Sequence, residues 1–145
     1  MGQVARILPS GARQPRCAGC ALCRPLRCHF PEGTLNRDET REELAWLRNC
    51  YLVRPELGLW VAIHKSTGHF IGRHGFLPWV IDCIDEVEIA YFIANPWQPQ
   101  GLGGEAAWAL AQYGFETLGL KRMIALIDPV HMASIRTMER AELSF

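Results

Sequence analysis

Hydrophobic positions first repeat with a helical period between residues 36 and 51. Leu44, Leu47 and Tyr51 fall on one stripe of a helix, and mainly polar or charged residues occupy the other positions. Asn36 suits a helix N-cap, and Glu39 follows three residues later, at the spacing of a capping box. The pattern predicts an amphipathic helix over residues 36–51.

The next segments have the pattern of β-strands. Residues 59–64 and 70–77 are rich in β-forming residues, and a short loop containing Gly68 separates them, which predicts an antiparallel hairpin. Residues 87–93 predict a third strand, in which Glu88 interrupts an otherwise hydrophobic run. An acidic side chain is therefore expected in the middle of a strand.

The remaining pattern alternates between helix and strand. Helical spacing runs over residues 104–118 and ends at Gly119, residues 122–127 form a short apolar run, and residues 132–143 are helical again. The predicted order is helix, hairpin, strand, glycine loop, helix, strand, helix, which belongs to the α/β class.

Composition narrows the choice of partners. The chain has 145 residues, the size of one domain, and 49% of them are hydrophobic. Lys plus Arg and Asp plus Glu number 15 each, so no net charge attracts phosphate backbones or anionic membranes. The chain has no apolar run of about 18 residues and no apolar signal core near its start. We expect a cytoplasmic protein whose partners include neither nucleic acid nor a membrane.

Residues 1–34 differ from the rest. The first 28 residues contain five arginines and no acid, and they show neither a helical nor a strand period. This predicts a poorly ordered extension before a domain at residues 35–145. Its four cysteines have a spacing at which thiolates can hold zinc or an iron–sulfur cluster, but no second paired knuckle and no strand context supports such a site, and we predict no metal. These are Cys17, Cys20, Cys23 and Cys28.

The glycine loop of residues 98–104 carries the chemistry. It lies between a predicted strand and a predicted helix N-terminus, where unpaired backbone N–H groups and the helix dipole favour a phosphate. Glycines 101, 103 and 104 let a pyrophosphate approach the backbone closely. A plain strand-to-helix turn is the alternative interpretation, although one glycine usually suffices for it.

Two other nucleotide motifs fit less well. A Walker A loop is excluded, because neither Lys-Ser nor Lys-Thr follows the glycines. Gly101, Gly103 and Ala106 match the dinucleotide fingerprint, and Asp128 lies at a suitable distance downstream. That fingerprint places its first glycine directly after a strand, whereas residues 95–100 intervene here, so a Rossmann-type protein ranks behind other interpretations.

The loop resembles the acetyl-CoA signature of the GNAT superfamily of N-acetyltransferases, in which Gly-x-Gly follows Gln or Arg at the spacing of Gln98, Gly101 and Gly103. The preceding strand resembles the branch that includes ribosomal-protein alanine acetyltransferases, in which a Glu-x-x-Tyr pattern precedes the loop as Glu88 and Tyr91 do here. The similarity covers residues 35–141. It continues through an aromatic before the signature, the start of the following helix and three later segments, namely Trp97, Glu105-Ala106, Tyr113-Gly114-Phe115, Leu118-Gly119-Leu120 and Ala133-Ser134-Ile135-Arg136.

The resemblance implies a GNAT-like mixed, mostly antiparallel sheet flanked by helices. It implies acetyl-CoA as co-substrate, bound between two strands that part beside the loop. It also implies which residues contact the cofactor, through loop amides, the backbone of the strand and a residue before the last helix. The expected contacts are Phe92, Ile93, Ala94, Gln98, Gln100, Gly101, Leu102, Gly103, Gly104, Glu105 and His131.

Two residues are candidates for the catalytic steps. Glu88 is the candidate base that deprotonates the attacking amine, and an exposed carboxylate on the strand is the alternative interpretation. Ser134 matches a serine that recurs in this branch and could protonate the thiolate, although it could instead cap the last helix. The usual tyrosine acid falls at Met138, and the usual asparagine falls at His131.

The two ends depart from the resemblance. Two further strands normally follow the last helix, and the usual first strand and first helix are not recognisable in residues 1–34. We therefore expect a sheet that is incomplete at the C-terminal strands and an impaired activity. A non-catalytic acyl-CoA or nucleotide-binding module is the alternative function. The acceptor amine and the oligomeric state stay open, with a homodimer as one option.

Overall fold

The computed structural model describes residues 36–81, 83–127 and 132–140, and the backbone of residues 3 and 4. The side chains of residues 99 and 140 are outside the description. In chain order the elements are β1 (Gln3–Val4), α1 (Arg37–Val53), β2 (Gly58–Ile63), β3 (Phe70–Ile81), β4 (Ile84–Ile93), a 3₁₀ helix (Asn95–Gln100), α2 (Leu102–Gln112), a π-helical turn (Tyr113–Thr117), β5 (Arg122–Met123) and α3 (Met132–Arg140).

The start of α1 confirms the predicted cap. The Asn36 side chain accepts hydrogen bonds from the amides of Asp38 and Glu39, and the Glu39 side chain accepts one from the Asn36 amide. These reciprocal bonds satisfy backbone amides that have no hydrogen-bond acceptor within the first helical turn. The helix ends two residues later than predicted, at Val53.

The central sheet contains β2, β3 and β4 in that order, and both pairings are antiparallel. Gly58 lies opposite Phe76, and Phe76 lies opposite Ile89, so the predicted hairpin and third strand form one continuous sheet. Two parallel contacts extend it: β1 pairs with β5, and Glu88 forms a bridge with Ile124. The predicted mixed, mostly antiparallel sheet is confirmed.

Hydrophobic clusters cover both faces of this sheet. One cluster packs α2 and α3 on residues that include Phe76, Ile89 and Met123. The other packs α1, through Trp46 and Leu47, on residues that include Trp79. Burial on both faces fits the stretch from Val87 to Ile93 of β4, in which every residue except Glu88 is hydrophobic. We call these the α2 face and the α1 face.

The helix after the glycine loop begins and ends differently from the prediction. It starts at Leu102 rather than Gly104, because the amides of Gly104 and Glu105 already bond the Gly101 carbonyl. At the other end a π-helical turn replaces the last α-helical residues, and the Leu118 amide bonds the Tyr113 carbonyl. None of the helices within the described ranges is both long and apolar enough to cross a membrane.

Candidate active site

A gap opens between β4 and the chain that follows β5. The Ile124 amide donates to the Val87 carbonyl at 2.8 Å, and the Ile89 amide donates to the Ile124 carbonyl at 2.9 Å. Beyond this point no backbone hydrogen bond of the described residues joins 90–93 to 125–127. The predicted strand over residues 122–127 is therefore paired only over its first half. The edge of β4 past Ile89 is left for another partner.

The backbone groups on that edge belong to Tyr91 and Ile93. In an antiparallel pair, alternate residues direct their N–H and C=O groups to opposite edges. The Ala94 amide donates to Ile71 of β3, whereas the Ile89 amide donates toward β5. Phe92 and Ala94 therefore direct their backbone toward β3, and Tyr91 and Ile93 direct theirs toward the gap. The alternation along β4 could have identified Tyr91, which the sequence analysis did not include among the cofactor contacts.

The glycine loop brings the N-terminus of α2 close to the end of this strand. Gly101 is the N-cap, with the left-handed φ of 77° that glycine adopts at little cost. It has no side chain to cap the helix, and the cap and loop hydrogen bonds of the described residues include none from the amides of Leu102 and Gly103. A Cβ added at Gly101 or Gly104 would meet nothing within 4 Å. The loop thus combines open space with orphan donors, as an anion site requires.

Gln98 braces the loop internally. Its side-chain amide donates to the Ile93 carbonyl at 3.0 Å and to Asn95 Oδ1 at 3.1 Å. These bonds fix the 3₁₀ helix to the end of β4. They also occupy one of the backbone groups that Ile93 directs toward the gap. The Gln98 side chain therefore sets the position of the loop relative to the strand.

Glu88 lies at the rung where β4 and β5 part, on the α1 face. Its side chain is 2% exposed, so the exposed carboxylate considered from sequence is not what the structure has. The indole N–H of Trp79 donates to Glu88 Oε2 at 2.6 Å. Sequence alone gives no signal for this bond, because the two residues meet only through the register of the β3–β4 hairpin.

A second carboxylate, Glu86, lies two residues earlier on the same face of β4. Its side chain is 9% exposed and pairs with the Arg122 guanidinium at 2.7 Å. The same face of β4 therefore carries two carboxylates, of which Glu86 pairs with a guanidinium and Glu88 accepts from an indole N–H.

Ser134 lies half-buried in the first turn of α3, the third residue of a helix that begins at Met132. Its backbone carbonyl accepts a hydrogen bond from the Tyr91 hydroxyl at 3.4 Å, which joins α3 to the rung of β4 beside the gap. Burial raises the pKa of the Tyr91 hydroxyl, and the contacts with Ser134 and Thr137 oppose that rise. Met138 is 1% exposed in the core, and His131 lies outside the described residues.

A separate cleft of about 650 Å³ lies on the other side of α2, over β2 and β3. It includes Ile93, Leu102 and Glu105 of the predicted cofactor contacts, together with His74. Burial lowers the pKa of His74, and its ring Nδ1 has no hydrogen-bond partner among the described residues. The N-terminus of α2 thus has an opening on each side, the gap toward β5 and this cleft toward β2.

The predicted absence of a metal site concerns a part of the chain that is mostly not described. The four clustered cysteines lie outside the described residues. Among those that are described, no group of three or more His, Cys, Asp or Glu side chains is arranged to hold a metal ion. The absence of a metal at the cysteines therefore stays a prediction.

Comparison with known proteins identifies the family. The profile of the acetyltransferase (GNAT) domain matches residues 20–144. The uncharacterized protein YkkB of Bacillus subtilis (strain 168) is 36% identical over 120 residues, which span 80% of this chain and 67% of that protein. This chain therefore belongs to the GNAT acetyltransferase family, whose members use acetyl-CoA.

One more distant relative and two solved structures are also similar to this chain, the structures in fold. The FsC-acetyl coenzyme A-N(2)-transacetylase of Aspergillus fumigatus is 29% identical over 108 residues, 67% of this chain and 43% of that enzyme. A GnaT-family protein from Bordetella pertussis has the same fold, with a TM-score of 0.67 at 24% identity, covering 79% of this chain and 72% of its own. A Vibrio cholerae structure described as a ribosomal-protein-serine acetyltransferase gives 0.58 at 23% identity, covering 74% and 60%.

Proposed function

We propose that this protein transfers the acetyl group of acetyl-CoA to a primary amine, on a protein N-terminus or a small molecule, by direct attack in a ternary complex. The observation that carries the proposal is the gap beside a helix N-terminus. Orphan amides at Leu102 and Gly103 lie next to a strand edge whose Tyr91 and Ile93 backbone groups face away from β3. The name of the Aspergillus relative, which describes transfer to nitrogen, supports an amine as acceptor.

These residues fit an extended thioester carrier. The α2 amides would hold the pyrophosphate, where Gly101 and Gly104 leave room for it. The pantetheine arm would run along the free edge of β4, pairing with the Tyr91 backbone and the Ile93 amide as an added strand pairs with a sheet edge. One of these N–H groups would then lie beside the thioester carbonyl and stabilise the oxyanion that forms during attack.

The proton transfers follow from the chemistry of aminolysis. The amine nitrogen bonds to the carbonyl carbon, the carbon–sulfur bond breaks, one proton leaves the nitrogen and the thiolate gains one. Glu88 would accept the first proton, directly or through water. Ser134 would supply the second, from a turn of α3 that the Tyr91 hydroxyl ties to β4.

A second candidate function is a non-catalytic acyl-CoA-binding module. Met138 favours it, because this side chain lies buried in the core where the family resemblance places a tyrosine acid, and a thioether cannot donate a proton. The two functions share the cofactor site and differ only in turnover.

Calorimetry followed by a transfer assay tests both functions. We expect acetyl-CoA to bind and NADH and ATP not to bind. We then expect label from [¹⁴C]acetyl-CoA to reach at least one member of a panel of peptides with free N-termini, polyamines and aminoglycosides. Binding without transfer to any amine would select the non-catalytic module, and no acetyl-CoA binding would refute both.

A further inference from the structure

The shortest polar contact in the described core joins a tryptophan to the candidate base. The Trp79 indole N–H donates to Glu88 Oε2 at 2.6 Å, and the two residues are 4% and 2% exposed. A hydrogen bond to an ionised acceptor is about twice as strong as one between neutral groups. In a buried setting, losing this donor would leave a carboxylate oxygen poorly compensated.

The hairpin register and the packing of α1 fix this geometry. Leu77 lies opposite Glu88 and Trp79 lies opposite Glu86, so the Trp79 and Glu88 side chains project diagonally on the same face. The Trp79 ring packs against Trp46 of α1, with centroids 5.7 Å apart. A ring packed in this way directs its N–H toward Glu88 Oε2, and the bond favours one rotation of the carboxylate.

We propose that Trp79 is a positioning residue, which holds the Glu88 carboxylate in the orientation needed to accept a proton from the amine. This inference rests on the proposed function of Glu88. The indole N–H fixes one carboxylate oxygen of Glu88, and the packing of the Trp79 ring on Trp46 fixes the direction of that donor.

Trp79→Phe tests the proposal, because it removes the N–H and keeps an aromatic ring in the core. We expect kcat to fall about tenfold with the amine of highest turnover in the panel above, and KM for acetyl-CoA to stay the same. The acidic limb of the pH–rate profile should move to higher pH, since a carboxylate that loses a donor takes up a proton more readily.

Trp46→Phe is the matched control. It makes the same ring change one layer away, in the same hydrophobic cluster. We expect it to lower stability comparably, while kcat stays within about twofold of wild type and the acidic limb does not move. Equal effects of the two variants on kcat and on the pH profile would overturn the positioning role.

A double-mutant cycle separates this inference from the proposed function. In a Glu88→Gln background, Trp79→Phe should change the residual kcat by less than about twofold, because its effect acts through Glu88. An inactive Glu88→Gln variant together with a fully active Trp79→Phe variant would overturn the inference alone. Wild-type turnover in Glu88→Gln would overturn the proposed base, and this inference with it.

A spectroscopic measurement covers the case in which Trp79→Phe does not fold. The ¹H–¹⁵N indole resonance of Trp79 can be compared between the wild type and Glu88→Gln. We expect an upfield shift of this proton when the charged acceptor becomes an amide, with the Trp60 indole resonance unmoved as an internal control. An unchanged Trp79 resonance would overturn the inference.

Discussion

The two halves of β4 have different surroundings. In the half that ends at Ile89, the strand is bonded to β3 on one edge and to Ile124 on the other, and Glu86 is paired with Arg122. In the half from Ala90 onward, β3 is the only described strand partner, and the glycine loop follows directly. One continuous strand therefore has a half with partners on both edges and a half with an open edge.

This difference shows how the fold separates stability from binding. Partners on both edges satisfy backbone groups of β4 within the protein, which supports the core and leaves fewer groups for a ligand. Where the second partner ends, the strand offers donors and acceptors of fixed direction beside the N-terminus of α2. Glu88 lies at the boundary between the two halves. Its variants should show whether it contributes to turnover or only to the stability of the paired half.

The two glutamates give the largest expected contrast. Glu88→Gln should lower kcat by about 10²- to 10³-fold, since an amide cannot accept the amine proton, while acetyl-CoA still binds. Glu86→Gln is its neighbour on the same face and should keep kcat within about threefold. Steady-state rates and calorimetry measure both. Equal losses of kcat in the two variants would contradict the proposed difference between the roles of Glu88 and Glu86.

Gly101→Val should weaken acetyl-CoA binding by at least about tenfold. The new side chain would enter the open space beside the orphan amides, and it would also strain a left-handed residue by about 1–2 kcal/mol. Gly119→Val provides the control, because Gly119 has a φ of 66° and equally open surroundings but lies beyond the other end of α2. Similar affinities in the two variants, measured by calorimetry, would place the cofactor elsewhere.

Arg122→Met tests the paired half of β4. Removing the guanidinium leaves the mostly buried Glu86 carboxylate without its cation, and we expect the free energy of unfolding to fall by about 1–2 kcal/mol. Arg54→Met breaks an ion pair whose side chains are about 40% exposed, and it should cost less than about 0.5 kcal/mol. Urea unfolding measures both. A change in acetyl-CoA affinity with Arg122→Met would contradict the separation of the two halves.

His74 gives the smallest expected effect. It lies opposite Tyr91, and burial lowers its pKa below the usual value of 6.5, so folding favours the neutral ring. Its contribution to stability is present above that value and is lost as the pH falls through it toward the folded pKa. Urea unfolding between about pH 7.5 and about pH 5.5 should show a larger loss for wild type than for His74→Gln. Parallel losses would show that His74 does not titrate on unfolding.

Local signals in the sequence predicted much of the fold. Asn36 and Glu39 form a capping box through contacts within one turn, and the glycines of the loop mark a strand-to-helix junction. Such features depend on neighbours in the chain, so they can be recognised without tertiary structure. The predicted fold class and family are confirmed for the same reason, whereas the catalytic and cofactor roles of individual residues stay predictions.

Features that depend on register were not predictable in this way. The bond between Trp79 and Glu88 requires the β3–β4 pairing, and the π-helical turn after Gln112 accompanies the close approach of Gly114 to Met123, where an added Cβ would lie 2.5 Å from the sulfur. The strand over residues 122–127 was predicted too long because its apolar run reflects burial. Ala125, Leu126 and Ile127 are buried without being paired to β4.

The most direct test of the account is an NMR titration of ¹⁵N-labelled protein with acetyl-CoA. The gap predicts that the largest amide shifts occur at Tyr91, Ile93, Leu102 and Gly103. Unmoved resonances at these four positions, with the largest shifts at Ala62, His74 and Ala109 around the cleft, would contradict it.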